Sequence, residues 1–67
     1  MQTDNGTRDQ IAADAAEIFH DAFTEGMDAP RLYKSHSDAW QAHPDYVFWQ
    51  INIFWSGYTQ GKRHRSA

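Results

Sequence analysis

The stretch Asp45-Tyr46-Val47-Phe48-Trp49-Gln50-Ile51-Asn52-Ile53-Phe54-Trp55-Ser56-Gly57-Tyr58 decides the fold. Its β-branched and aromatic residues suit a pleated strand. Read as a strand, Val47, Trp49, Ile51, Ile53 and Trp55 alternate with Phe48, Gln50, Asn52 and Phe54. Read as a helix, Val47, Phe48, Ile51, Phe54, Trp55 and Tyr58 share one face. Two considerations select the helix. A lone strand is unstable, and only residues 31–34 offer a second one. The length of the segment and Pro44 at a first helical position both suit a helix. A helix over about 44–61, closed by Gly61, is therefore predicted. A strand over 46–55, paired across a dimer, is the α+β alternative.

Such a helix has a surplus apolar flank. Tyr46, Trp49 and Ile53 point away from its main face, and must meet another element or another chain. Gly57 and Gly61 repeat the GxxxG spacing of closely packed membrane helices. The longest apolar run, Tyr46 to Tyr58, is nevertheless too short to span a bilayer. Gly57 is expected instead to let a neighbouring aromatic approach.

Upstream, Thr7-Arg8-Asp9-Gln10 fits a capping box. Ile11, Ala15, Ile18, Phe19 and Ala22 then repeat at helical spacing in an alanine-rich segment. These predict a helix over about 8–25, with Gly26 ending it in a left-handed conformation. Between the two helices, Ser35 or Ser37 is placed to cap a short helical segment through Asp38 and Ala42. That segment stops before Pro44, because the residue preceding proline avoids the helical region. The expected fold is a single small all-α domain over residues 1–67, flexible at 1–6 and 62–67.

The chain has 67 residues and no cysteine, which excludes disulfides and thiolate zinc sites. Aromatics at 15% argue against wholesale disorder. The start MQTDNGTRDQ lacks the basic and apolar regions of a secretory signal, which points to the cytoplasm. Charge is divided along the chain. All nine acids fall in residues 1–45, while residues 46–67 carry only Lys62, Arg63 and Arg65 as formal charges. Such a split points to an electrostatic partner, or to two parts of one fold complementing each other.

Asp14, Glu17, Asp21 and Glu25 line one flank of the first helix. Like charges at this spacing destabilise a helix, and the last two acids sit toward its negative end. Helix stability therefore does not account for the row. Two accounts remain: a solvated face that keeps the protein soluble, or a surface complementary to a basic protein partner. The basic tail Lys62, Arg63 and Arg65 either complements the end of the last helix or contacts phosphate. Three cations at a pI of 5.6 are a thin footprint for a nucleic-acid binder.

Catalytic signatures are missing from the sequence. His20, His36, His43 and His64 show no helical metal-pair spacing, and the chain has no P-loop, dinucleotide fingerprint or nucleophile elbow. A non-enzyme with no metal and no cofactor is expected. The alternatives are a protein-binding inhibitor or adaptor, a self-associating protein using Tyr46, Trp49 and Ile53, and a nucleic-acid binder using the tail.

The ending Phe54-Trp55-Ser56-Gly57-Tyr58-Thr59-Gln60-Gly61-Lys62-Arg63 resembles the tails of many short phage or prophage proteins. In type, a small, acidic, cysteine-free and aromatic-rich chain also resembles phage-encoded inhibitors of host defence, anti-CRISPR proteins among them. The resemblance implies an inhibitor of a nucleic-acid-handling system, acting in the host cytoplasm. It transfers no family residue onto this sequence.

Overall fold

The computed structural model describes the backbone of residues 2–66 and the side chains of residues 7–66. It contains α1 (Gln2–Asp28), α2 (His36–Ala42) and α3 (Phe48–Ser66). No strand occurs among the described residues, so the chain is all-α and the stretch 46–55 does not pair as a strand.

The strand-like residues of α3 become helical because the helix is covered on two sides. Tertiary burial then outweighs their modest intrinsic propensity. Among the described residues α1 and α2 both pack on α3 and do not touch each other. The three helices thus form a row with α3 in the middle. The molecule measures 44 × 25 × 12 Å, so it is about one helix thick.

The direction of packing follows from which positions meet. Gly57 lies against Phe19 and Ala22, and Gly61 against Phe23 and Met27. Positions climb together on both helices, so α1 and α3 run parallel. The intervening segment carries the chain back along the other side of α3. Tyr33 meets Tyr58 and Phe54, His36 meets Trp55, and Trp40 meets Phe48.

Glycines make the α1–α3 seam. A Cβ on Gly57 would stand 2.7 Å from the Phe19 carbonyl oxygen and 3.2 Å from the Ala22 Cβ. On Gly61 it would overlap the Phe23 carbonyl oxygen, and on Gly26 the Tyr58 carbonyl oxygen. Backbone therefore touches backbone, in the small-residue mode familiar from membrane helix pairs. No glycine among the described residues has a positive φ. Gly26 and Gly61 are thus interior packing residues, not helix ends. α1 continues to Asp28 and α3 to Ser66. Each interior glycine costs roughly 1 kcal/mol of helix propensity, which the close contact must offset.

Tyr58 closes the core. It is fully buried, together with Ile51, Ala22 and Ala39, while Phe54, Ile18 and Tyr33 are nearly so. Its hydroxyl donates to the Ala29 carbonyl oxygen at 2.6 Å. It accepts from the Leu32 amide at 2.9 Å and the Tyr33 amide at 3.2 Å. One phenol thereby satisfies three backbone groups just past the end of α1, using its whole hydrogen-bonding capacity.

Several predicted boundaries shift. α1 does not begin at Thr7 but runs from Gln2, and Gln10 Nε2 donates forward to Asp14 Oδ1 at 3.1 Å. Ser35, not Ser37, caps α2, accepting from the Asp38 amide at 3.1 Å while Asp38 accepts from the Lys34 amide at 3.0 Å. His43 closes α2, donating its amide to the Trp40 carbonyl at 3.0 Å. Pro44 and Asp45 form a turn, closed by the Tyr46 amide on the His43 carbonyl at 3.1 Å. α3 starts at Phe48, where Gln50 Oε1 accepts from the Val47 amide at 2.9 Å. At the chain ends, residues 2–6 and 62–66 are helical, while Met1 and Ala67 lie outside the described residues.

Candidate functional site

The helical repeat of α1 places Asp14, Glu17, Asp21 and Glu25 on one flank, beside the core-facing Ile18 and Ala22. What faces them comes from elsewhere in the chain. The 43–46 turn is pinned by Trp40 Nε1, which donates to the Tyr46 carbonyl oxygen at 2.8 Å. The Tyr46 ring stacks on His43, with centroids 5.0 Å apart and 11° between planes, and leans on Phe54 at 6.0 Å. It thereby faces the acidic flank. Asp14, Glu17, Ile18, Asp21, Tyr46 and Gln50 line an open groove of about 300 Å³. On the outer side of the acids, His20, Asp21, Thr24, Glu25, Asp28 and Ala29 line a second one of about 430 Å³.

The carboxylates act on the phenols beside them. Burial raises the Tyr46 pKa, and the charges of Asp21, Glu25 and Glu17 raise it further. Tyr33 is pushed up to about 12, first by burial and then by the negative charge of Glu25. Tyr33 Oη also lies 3.2 Å from His43 Nε2. The Tyr33 phenol thus pairs with His43 while feeling the charge of Glu25, at one end of the acidic flank. Tyr33 keeps its proton more tightly when folded than when unfolded. Its contribution to stability is therefore complete below pH 10 and is lost as pH rises through about 12. Urea titrations across that window should show the fall, and Tyr33→Phe should lessen it.

The other predicted site residues are dispersed. Tyr46, Trp49 and Ile53 do not form one patch. Tyr46 precedes α3 and turns toward the acids, Ile53 packs against the core, and Trp49 stays exposed. The basic tail is the last turns of α3. Arg65 Nη1 donates to the Met27 carbonyl oxygen at 2.6 Å, so it caps the C-terminal end of α1. Lys62 Nζ sits 5.7 Å from the Tyr58 ring centroid, a cation–π contact. Arg63 is exposed, lining a shallow groove with Thr59, Lys62 and Ser66. Two of the tail's three cations thus act within the fold.

Tyr33, His43 and Gln50 join the acidic flank without any local sequence signal, because the crossover segment and α3 bring them there. Among the described residues no three His, Asp or Glu side chains are grouped to hold a metal ion. No helix among them is long and apolar enough to cross a membrane. Neither a protein family, a curated protein nor a solved structure matches the chain.

Proposed function

We propose that the chain is a protein-binding inhibitor or adaptor whose acidic α1 flank docks on a basic protein surface. One observation carries this reading: Asp14, Glu17 and Asp21 line a single open groove with Tyr46, and no Lys or Arg lines it with them. Carboxylates beside an aromatic ring complement arginine and lysine, by charge-assisted hydrogen bonds and by the ring face. A basic surface of this kind is one that ordinarily holds nucleic acid, as in CRISPR–Cas effectors, and the phage-inhibitor resemblance points the same way. Electrostatic complementarity chiefly sets encounter rate and specificity, so binding should weaken as salt is raised.

Reversing the three charges with Asp14→Lys, Glu17→Lys and Asp21→Lys tests the proposal. Pull-down from a host lysate should recover a basic, nucleic-acid-handling protein with the wild-type chain, and the reversed variant should lose it. Added polyanion should compete for the same partner. The variant should keep its helical circular dichroism, since Glu17 and Asp21 are exposed and lysine is a better helix former than aspartate. Recovery that survives charge reversal would sink the proposal.

A further inference from the structure

We infer that the chain forms a two-fold homodimer through the back of the α1–α3 pair, the side of the seam opposite the acidic groove. The helical repeat gathers that face. Ala12, Ala16, Phe19 and Phe23 follow one another at spacings of three or four along α1, and Trp49 and Ile53 do so on α3. Ring contacts fix where the two stripes lie. Phe19 stacks on Phe23 with centroids 6.3 Å apart, and Phe23 leans on His64 at 5.6 Å across the seam. Neither phenylalanine belongs to the core or to the side chains packed on it. Both are half-buried, while Ala12, Ala16 and Trp49 are exposed. At the front, Tyr33, His43 and Tyr46 pack on Phe54. No helix among the described residues packs behind the seam, although apolar helix faces are ordinarily buried against a second layer. Backbone contact at Gly57 and Gly61 keeps the furrow between the helices shallow, so the back is flat.

The distribution of charge identifies the occupant. On this side, from Ala12 to Phe23 of α1 and from Trp49 to Gln60 of α3, the helical repeat places no Lys, Arg, Asp or Glu. Arg8 and Asp9, one cation and one anion, stand a turn before Ala12, and Arg63 and His64 mark the other end. A basic segment would find no carboxylate to pair with on such a face. A head-to-tail copy would press it on the acidic front of its neighbour. Asp14, Glu17 and Asp21 would then be buried with only the rim cations to meet them, and unpaired buried charge is costly. Back-to-back pairing buries uncharged side chains on both copies and closes at two. The outline of the molecule, 44 × 25 Å, offers a broad face of about 1,000 Å², enough for the roughly 800 Å² per partner of a standard interface. This inference goes beyond the acidic-flank reading and is independent of it, because both acidic grooves face outward from the dimer.

Sedimentation velocity of the full chain over a wide concentration range tests it. The mass should rise toward twice the 7.8 kDa of one chain and stop there. Ala16→Lys sets a charge into both copies of the face at an exposed helical position. It should raise the dimer dissociation constant at least about tenfold while the circular dichroism of the chain is unchanged. Trp49→Ser, which adds no charge, should weaken the dimer independently. The variant with Asp14→Asn, Glu17→Gln and Asp21→Asn should leave it intact. A monomer at every concentration would overturn the inference, as would a dimer that survives both Ala16→Lys and Trp49→Ser. Growth beyond two copies, or loss of association when the three carboxylates are neutralised, would assign the contact to a head-to-tail arrangement and overturn it as well. Each of these failures leaves the pull-down by the acidic flank to be decided by its own charge reversal.

Discussion

Gly61→Ala is expected to destabilise the protein by about 3 kcal/mol, although alanine is the better helix former by roughly 1 kcal/mol. The sign is decided by what the new methyl would meet. It would overlap the Phe23 carbonyl oxygen, with the Phe23 carbonyl carbon at 3.0 Å and the Met27 amide nitrogen at 3.1 Å. All three are backbone atoms of a packed helix and cannot swing aside as a flexible side chain would. The α1–α3 seam must open, and contacts along its length loosen with it. Gly26→Ala should behave alike, since its methyl would overlap the Tyr58 carbonyl oxygen. Gly57→Ala should cost less, because its nearest contact is 2.7 Å away. For a domain of this size total stability is on the order of 3–10 kcal/mol, so the two severe variants stand near the unfolding threshold. Urea denaturation followed by circular dichroism measures the series. A gain in stability at position 61 would show that the helices do not meet there.

Tyr58→Phe is the second large effect, with an expected loss of about 2–4 kcal/mol. The substitution keeps the ring and its contacts with Tyr33, Phe54 and Trp55. Only the hydroxyl goes, so the loss isolates its hydrogen bonds. The Ala29 carbonyl loses one of its two donors, and the Leu32 and Tyr33 amides lose an acceptor. Leu32 retains a bond to the Ala29 carbonyl at 3.2 Å, which holds the cost below the sum of three full penalties. Each buried group left unpaired costs roughly 1–3 kcal/mol. The urea midpoint should fall with an unchanged slope, since the surface exposed on unfolding stays the same. A shift under about 0.5 kcal/mol would mean that water replaces the hydroxyl at no cost.

The same residues explain which parts of the structure were legible in the sequence. The helical identity of α1 was, because Ile11, Ile18 and Ala22 repeat on one face whatever packs against them. The helical identity of α3 was legible only through the shortage of strand partners, since its composition argued the other way. Helix ends were misplaced at Gly26 and Gly61 for a definite reason. Glycine serves both where a chain leaves a helix and where two backbones touch, and only the partner backbone distinguishes the two uses. Pro44 misplaced the start of α3 in a similar way. It occupies a turn because Gln50 reaches back to the Val47 amide and nucleates the helix later.

The acidic row could be read from its spacing, because it belongs to one helix. Its companions could not. Tyr33, His43 and Tyr46 come from the crossover and its turn, Gln50 comes from α3, and nothing local in the sequence couples them to α1. The tail illustrates the converse. Lys62 and Arg65 look like free cations in the sequence, yet one covers Tyr58 and the other caps α1. Both cations are thus engaged within the fold, one by a ring face and the other by a backbone carbonyl.

The parallel pairing of α1 and α3 also dictates an order of events during synthesis. Two antiparallel helices joined by a short turn can zip as soon as the turn has formed. Here Ala22 and Gly26 wait for Gly57, Tyr58 and Gly61, so a loop of about 35 residues must close before the seam exists. A nascent chain cannot assemble this seam until the residues up to Gly61 have left the ribosome. Until then α1 stands as an alanine-rich helix with no apolar partner to hold it. Formation of the seam therefore waits for Gly61, a non-local dependence that slows small helical proteins relative to simple hairpins.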